Sequence, residues 1–590
     1  MFTGGFFLVQ SGPDPEIFSP EKFSEIQQEF ARAASEFALN EIYPKQDAIE
    51  LLDQQINRQL LRQCGELGLL GIDVPEDYGG LEMDKVTAAL VTEKITMGQS
   101  ESFMVTYSVQ TGIGMLPILF FGNEEQKKYY LPKLVSGEWI SAYALTEPGS
   151  GSDALSIRTS ASYSDDGEKF ILNGSKQFIS NGGWADVLIT FAKIDGEKMT
   201  CLLVDPRSPG VVVHEEKNKL GLHGSSTANI TLENVEVPKE NVLGEIGKGA
   251  EIAFNILNIG RFKLGAAVLG GSKSALQESV RYALERKQFG QPVAYFEALK
   301  KKTADMTIRS FALESAVYQT AGLLDKSIQQ VDTNAPDYHQ QLPNAIERFA
   351  LECSICKVFG SEAMGLNTDD GLQMFGGYGF MEEYPLARMM RDTRVDRIYE
   401  GTNEINRQII LGYLLKKTLL EELPIREKMK DLPRFLETSP TLNTALLKDE
   451  LNSLEASRHL LLFAFKQALT AYGQDLLNKQ QIGEWISDMV IHLFTWHTTL
   501  SRVVEMPEDY EYRPLALKIG RVYSYETAWK MLAWSHQVIS ACTTGQDLTN
   551  SLNVHRRLQN RIILETNINE LKNEIADEIY NHKKYPFNEQ

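Results

Sequence analysis

The chain has 590 residues, too many for a single hydrophobic core, and this length predicts about three to five domains. Its hydrophobic content of 43% and aromatic content of 9% are those of a folded protein. The formal net charge of −20 argues against a nucleic-acid partner, which would need a basic face, although a few local arginines would suffice for a small nucleotide-bearing ligand.

The five cysteines are scattered, as is usual in a reducing compartment. Cys353 and Cys356 lie in the apolar, helix-like stretch FALECSICKVFG, so a buried helix face is a better interpretation than a redox or metal pair. The histidines lack HxxxH or HExxH spacing, and we predict no metal site. The first apolar run is too short for a signal peptide, and we expect no bilayer-spanning window, so the expected location is cytoplasmic.

The N-terminal part has helical periodicity. Ser19-Pro20 is predicted to open a helix whose apolar face comprises Phe23, Ile26, Phe30, Ala33 and Phe37. Helical patterns continue to about Leu134, with breaks at Pro75 and at Gly79-Gly80. Residues 1–139 are therefore predicted to form a helical domain.

Between Trp139 and Leu243 the pattern changes to short alternating runs separated by turn residues. FILNGSKQFI predicts a hairpin with Asn173-Gly174 at its turn. Further strands are predicted in VLITFAK, TCLLVD and ANITLENVEV. Residues 140–248 are predicted to form a β domain.

Helical periodicity returns at Gly249 and continues to Leu415, with a polar loop expected over Val331–Gln341. The charged, proline-containing stretch ELPIREKMKDLPRFLETSPT after it suggests an irregular linker. The remainder, 442–590, is helical again and carries no chemical motif. The fold class is α+β, mostly α, with domains predicted over 249–415 and, including the linker, over 416–590.

One stretch of the third domain, MRDTRVDRIYEGTNEINRQII, places Glu400 directly before Gly401 and Thr402. Gly401 allows a sharp bend, and Thr402 or Asn403 can cap a helix with Ile405, Ile409 and Tyr413 on one face. From these residues alone, a carboxylate aimed at a ligand and one that only caps the helix dipole are about equally good interpretations.

Five other segments carry candidate ligand-binding residues. The loops TEPGSGSDA (146–154) and KQFISNGGWADV (176–187) expose backbone N–H groups, although such loops are more often plain turns and Phe178 alone would be a core strand residue. Arg261, in the apolar NIGRF, needs an acid or a ligand anion as partner. Arg286 in ERKQFGQP suits a pyrophosphate, and QMFGGYGF contains Gly376-Gly377.

Together these motifs closely resemble the acyl-CoA dehydrogenase family, from about Glu21 to Leu415, and most closely its very-long-chain type with an added C-terminal helical domain. The resemblance implies an N-terminal helical domain, a middle β-barrel-like domain and a four-helix bundle. It implies FAD-dependent α,β-desaturation of a long-chain fatty acyl-CoA to the trans-2-enoyl-CoA in fatty acid β-oxidation. Glu400 would take the α-proton, and flavin N5 would accept the β-hydride.

The resemblance also assigns binding residues. Phe178 and Ser180 stand where many relatives have Trp and Thr, and Gly260 stands where some relatives carry the catalytic Glu, which leaves Glu400 as the base here. The implied FAD-binding residues are Tyr143, Leu145, Thr146, Gly151, Ser152, Phe178, Ile179, Ser180, Arg286, Gln288, Phe289, Gln373, Gly376, Gly377, Thr402 and Glu404. The implied substrate-binding residues are Ser152, Asn258, Arg261, Tyr399, Glu400 and Gly401.

The implied partners are an electron-transfer flavoprotein and a second copy of the chain. The segments around Arg286 and Gly376 would reach the neighbouring subunit's flavin, and the C-terminal domain would fold back on its own bundle and leave a homodimer. Residues 416–434 mix both charge signs, so membrane association is not predicted. An acyl-CoA oxidase and a weakly catalytic helical scaffold are the alternatives. Chain length stays open, with Gly112 and Gly114 as a possible source of room for a long tail.

Overall fold

The computed structural model describes residues 3–333, 335, 338–438 and 446–587. Helices form the first part of the chain. The first α-helix begins at Glu25, where Ser24 and Gln27 form a capping box, and Ser19-Pro20 opens only a short 3₁₀ helix, Pro20–Lys22. The helices of this part are α1 Glu25–Phe37, α2 Gln46–Ile49, α3 Gln54–Glu66, α4 Lys85–Ile95, α5 Glu101–Val109, α6 Leu116–Phe121 and α7 Glu124–Val135.

An eight-stranded sheet follows, as predicted. Its order is β6-β7-β3-β2-β4-β5-β8, and β1 pairs in parallel with β4. The strands are β1 Ser141–Ala144, β2 Ser160–Tyr163, β3 Lys169–Ser180, β4 Val187–Ile194, β5 Lys198–Val204, β6 Val211–Glu215, β7 Thr227–Pro238 and β8 Val242–Leu243.

The prediction of a hairpin at Asn173-Gly174 is wrong. These residues lie inside the single strand β3, which pairs with β7 on one side and with β2 on the other. The register with β7 shifts between Leu172 and Gly174, so the Asn-Gly pair marks a β-bulge. The pairing of β3 with two other strands overrides the local turn preference.

The third part is a helical bundle. Its longest helix, α8 Gly249–Glu285, packs against α9 Glu297–Ile328 and α11 Ala350–Phe375, and α13 Asn403–Leu419 packs on α11. Cys353 and Cys356 are buried in α11, as predicted. The predicted polar loop is shorter than expected, and its residues 334, 336 and 337 lie outside the described part. The remaining elements are β9 Lys287–Gln288, β10 Gln291–Pro292, α10 Tyr338–Glu347 and α12 Pro385–Asp392.

Two short helices occupy the stretch expected to be irregular. Ile425, Leu432 and Phe435 are buried there, and the Phe435 ring stacks on His459 with centroids 4.1 Å apart. Apolar burial therefore orders this connection despite its charge and prolines, while residues 439–445 lie outside the described part. The helices are α14 Ile425–Lys430, α15 Leu432–Thr438, α16 Lys448–Tyr472, α17 Gln480–Glu505, α18 Arg513–Cys542, α19 Gly545–Ile562 and α20 Ile568–His582.

A buried charge network joins the C-terminal helices to the rest of the protein. Arg502 on α17 has no exposed surface and donates to Glu314 on α9 and to Glu21 in the N-terminal segment, at 2.7 Å in each case. Glu314 also accepts bonds from Lys273 and, at 2.6 Å, from the Tyr585 hydroxyl. The network therefore ties three parts of the chain to one another.

The N-terminal segment, residues 4–24, lies against the C-terminal helices. The Arg458 Nε atom donates to the Phe7 carbonyl oxygen at 2.8 Å, and the Asp14 N–H donates to the Ser501 hydroxyl at 2.8 Å. Helices α16 and α17 thus hold the segment 4–24 in place.

Two helical stretches are apolar and long enough to cross a bilayer, contrary to the expectation from sequence. They are residues 101–121 and α8, and 89% of the most apolar window of each is buried inside the protein.

Candidate active site

Glu400 occupies a strained turn between a short 3₁₀ helix, Thr393–Arg397, and α13. Glu400 and Gly401 both have positive φ, +58° and +79°. The left-handed conformation costs a residue with a side chain about 1–2 kcal/mol. Thr402 then caps α13 by accepting the Ile405 N–H at 3.3 Å, as predicted from sequence. The surroundings must hold this turn, as is common at functional sites.

Two buried side chains that sequence reasoning missed hold the turn. Lys357 donates to the Gly401 carbonyl oxygen at 2.8 Å and to Asn403 Oδ1 at 2.7 Å. The Asn406 amide also donates to the Gly401 carbonyl, at 2.8 Å. The available signal was a lysine on the apolar helix pattern that contains the two cysteines, since a buried cation needs partners.

Arg261 supports the same turn from α8. Its Nε atom donates to the Glu400 carbonyl oxygen at 3.3 Å, and its Nη1 atom donates to Asn258 Oδ1 at 2.9 Å. The side chain is 5% exposed and lines the cavity described below. Asn258 lies behind it and orients the guanidinium instead of lining the cavity.

The Glu400 carboxyl group rests against Gly260. A Cβ atom at Gly260 would lie 2.5 Å from Glu400 Oε2, so the glycine provides the room for this side chain. Oε2 is buried and has no hydrogen-bond partner among the residues that the structure describes. Burial raises the pKa of Glu400 to about 7, against the opposing effect of Arg261 and Lys357. The site therefore holds a carboxyl group that exchanges a proton near neutral pH.

A cavity of about 1400 Å³, counting its open mouth, brings together most of the residues predicted for the site. The catalytic and substrate candidates Ser152, Arg261, Tyr399, Glu400 and Gly401 all line it. So do the predicted cofactor residues Tyr143, Leu145, Thr146, Gly151, Ser152, Phe178, Ile179 and Ser180. Both glycine-serine loops thus face the same space as the candidate base.

Phe178 is presented to solvent and is not a core strand residue. It sits at a second bulge of β3 with φ +59°, and its ring is 59% exposed. The buried Lys176 beside it pairs with Glu147 at 2.7 Å and so anchors the first loop to β3. The buried Tyr143 hydroxyl on the same wall lacks a partner in the described chain. An exposed aromatic ring and an unpaired hydroxyl along a rigid wall fit a planar ring system with polar edges.

The other predicted cofactor residues lie away from this cavity. Arg286, Gln288, Gly376 and Gly377 line a separate surface pocket, near the end of α11 that carries Gln373. Phe289, in the turn between β9 and β10, is 93% exposed. Thr402 and Glu404 lie at the start of α13. That the segments around Arg286 and Gly376 reach the flavin of a neighbouring subunit stays a prediction.

A carboxyl group of raised pKa in an open cavity, beside a wall suited to a flat aromatic cofactor, fits an enzyme that takes a proton from carbon next to such a cofactor. The acyl-CoA dehydrogenase models match in chain order: the N-terminal domain over 24–138, the middle domain over 142–235 and the C-terminal domain over 247–415. The chain belongs to the acyl-CoA dehydrogenase family. It is an FAD-dependent oxidoreductase.

Similar proteins support this membership along the whole chain. A probable acyl-CoA dehydrogenase of Bacillus subtilis is 40% identical over 588 residues, which is 99% of this chain and 98% of the relative. The human mitochondrial very long-chain specific acyl-CoA dehydrogenase is 34% identical, over 85% of this chain and 78% of its own. The crystal structure of a Bacillus anthracis acyl-CoA dehydrogenase complexed with FAD matches with a TM-score of 0.95 and 40% identity, over 99% of this chain and all of the other.

Proposed function

We propose that the protein desaturates long-chain fatty acyl-CoA to the trans-2-enoyl-CoA in fatty acid β-oxidation, with Glu400 as the base. The observation that carries the proposal is the unpaired Glu400 carboxyl group, which rests on Gly260 and has its pKa raised by burial to about 7. Such a group takes a proton from carbon far better than a carboxylate in water. The cavity lined by Phe178 and Thr146 fits FAD, which supplies the acceptor for the β-hydride.

The turn around Glu400 also supports stabilisation of the negative charge that develops on the thioester oxygen. The Glu400 N–H donates to no residue that the structure describes and so can donate to that oxygen. One such donor contributes about 2–4 kcal/mol in the transition state. Lys357 and Arg261 fix the carbonyl groups of the same turn, so base and donor are positioned together.

The geometry of α8 supports a long acyl chain. The cavity-lining residues Gly260, Leu264, Ala267 and Val268 share one face of this helix, and Gly271 lies on the same face eleven residues beyond Gly260. Eleven residues rise by about 16 Å. An extended backbone covers about 3.5 Å in three bonds, so roughly 13 alkyl bonds span that distance. Chains of about 14 to 16 carbons would fill the channel.

The glycines suggested by sequence do not provide this room. Gly112 and Gly114 are absent from the cavity lining, and a Cβ atom at Gly112 would touch the Lys263 side chain at 3.5 Å. The π-helical turn that contains them presents Ile113 to the cavity instead.

Anaerobic titration of the FAD-loaded protein tests the proposal. We expect hexadecanoyl-CoA to bleach the flavin absorption, with activity across a series of saturated acyl-CoAs highest near that length. An electron-transfer flavoprotein should reoxidise the enzyme much faster than oxygen does. Rapid reoxidation by air would favour the oxidase alternative, and a protein whose flavin is not reduced by any acyl-CoA would favour the scaffold.

The pH dependence of kcat/KM should follow Glu400. Because the base must be ionised, activity is full above the pKa of about 7 and falls by roughly tenfold per pH unit well below it. Flavin reduction rates measured with octanoyl-CoA from acidic to mildly alkaline buffers would show this fall in activity at low pH. A flat profile through neutral pH would contradict the assignment of the base.

We also infer a cytoplasmic homodimer. The C-terminal helices α17 and α20 pack against bundle helices α9 and α13, which supports the idea that they cover a surface otherwise available to a second dimer. Light scattering on the full chain should then give the mass of two copies. A stable tetramer would refute this arrangement.

A further inference from the structure

A second carboxyl group lies at the far end of the acyl channel. Glu101 is the first residue of α5 and lines the same cavity as Glu400. Its Oε1 atom lies 3.1 Å from the Cβ position of Gly271, beside the Met364 side chain, whose Cε atom is 2.8 Å from that position. The two glycines are about three turns apart on one face of α8, so the two carboxyl groups bracket a channel of about 16 Å.

The channel between them is apolar. Met104 and Val105 on α5 face Leu264, Ala267 and Val268 on α8. An alkyl chain would bury its methylene groups here, at about 0.8 kcal/mol each. Plain apolar burial does not explain why an acid stands at the end of this channel.

Glu101 is half-buried and lacks the compensation that acids in apolar surroundings usually have. Within the described part of the chain, no hydrogen bond and no opposite charge is among the influences that shift its pKa. Its pKa is raised well above the ordinary value by burial, and further by the neighbouring Asp396 and Asp392. The carboxyl oxygens therefore keep hydrogen-bonding capacity that a polar group in the channel can use.

Asp396 shares this end of the cavity but is already engaged. It is 5% exposed and accepts the Tyr399 hydroxyl at 2.6 Å. Burial raises the pKa of Asp396 to about 7, and the Tyr399 hydrogen bond, Lys357 and Arg397 partly offset this rise, whereas no cation in the described part of the chain offsets the rise at Glu101. The unpaired hydrogen-bonding capacity at the channel end belongs to Glu101.

We propose that Glu101 is a specificity-determining residue that favours acyl chains carrying a hydroxyl group at their far end over methyl-ended chains of the same length. The preference rests on the proposed function and deepens it. A terminal hydroxyl can form a hydrogen bond with the Glu101 carboxyl group, whereas a methyl group leaves that carboxyl group unpaired at the end of the channel. Only chains of about 14 to 16 carbons reach this point, so shorter chains are indifferent to it.

The test compares three substrates on the FAD-loaded full-length enzyme: octanoyl-CoA, hexadecanoyl-CoA and ω-hydroxyhexadecanoyl-CoA. In the unaltered enzyme we expect kcat/KM for the hydroxylated chain to exceed that for hexadecanoyl-CoA by about tenfold or more, since one buried polar group left unpaired discriminates on this scale. A ratio of one or less would overturn the proposal without any variant. Failure of all three substrates to reduce the flavin would instead refute the proposed function.

Two variants then assign the preference to the side chain. Glu101→Gln keeps the shape and hydrogen-bonding capacity, and should keep most of the ratio. Glu101→Leu should abolish or reverse it by improving hexadecanoyl-CoA, with FAD content and the thermal unfolding midpoint as controls for folding. An unchanged ratio in a Glu101→Leu protein with normal FAD content and a normal midpoint would show that Glu101 does not distinguish the chain ends.

Discussion

Glu400→Gln is expected to slow flavin reduction by roughly 10²–10⁴-fold, the usual contribution of a positioned general base. The amide keeps the volume of the side chain and its place against Gly260 but cannot take a proton. Lys357 and Asn406 bind backbone carbonyl oxygens in this turn, so the strained turn should persist. Anaerobic stopped-flow absorbance with hexadecanoyl-CoA measures the rate directly.

The matched control is Glu508→Gln, which removes an exposed carboxylate from the C-terminal domain. It should leave the reduction rate unchanged. Both variants should retain FAD and bind acyl-CoA, because the substitution at Glu400 removes the base and not the cavity wall. If Glu400→Gln reduced its flavin at the rate of the unaltered enzyme, the base would have to be another group.

Arg502→Ala is expected to destabilise the protein by about 3–5 kcal/mol, the usual cost of removing one partner from a buried ion pair. The guanidinium has no exposed surface and pairs with two carboxylates that are themselves buried, Glu21 and Glu314. It also lies over the Phe311 ring, 4.2 Å from the centroid. Alanine would leave an excess of buried negative charge where three parts of the chain meet.

Thermal unfolding followed by circular dichroism, with the midpoint compared between variants, checks this expectation. Arg556→Ala is the control, because Arg556 is exposed and its only described hydrogen bond is a 3.4 Å contact with Asn553. That substitution should change stability by no more than about 0.5 kcal/mol. An unfolding midpoint for Arg502→Ala as high as that of Arg556→Ala would mean that the network adds no net stability, because the free energy of burying its charges equals the free energy gained from pairing them.

Much of the architecture follows from the sequence because it depends on local periodicity. The long apolar pattern that begins at Gly249 predicts α8 with its correct first residue. The residues near Asn173-Gly174 give no sign that the predicted hairpin is wrong, because the strand that pairs with β3 instead is β7, far along the chain. The helices α14 and α15 were missed for a similar reason, because burial against α16 and not propensity orders them.

The site was predictable where side chains carry the chemistry. Glu400, Arg261 and Phe178 stand in recognisable motifs and meet in one cavity. Lys357 and Asn406 act on backbone carbonyl oxygens, and those oxygens have no sequence signature. Glu101 escaped notice because a single acid at the start of a helix is commonplace, and only the spacing along α8 shows what it faces.

The contacts that residues 4–24 make with helices α16 and α17 affect how the chain folds during its synthesis. Phe7 and its partner Arg458 are 451 positions apart, and Asp14 and Ser501 are 487 apart. At about 5–20 residues per second, the segment leaves the ribosome tens of seconds before its partners. Closing so long a loop is entropically costly, so these contacts form late. During that interval the N-terminal domain and the bundle must therefore exist without the C-terminal helices that later cover them. This partly folded chain, with its apolar surface exposed, is the species most prone to aggregate during synthesis.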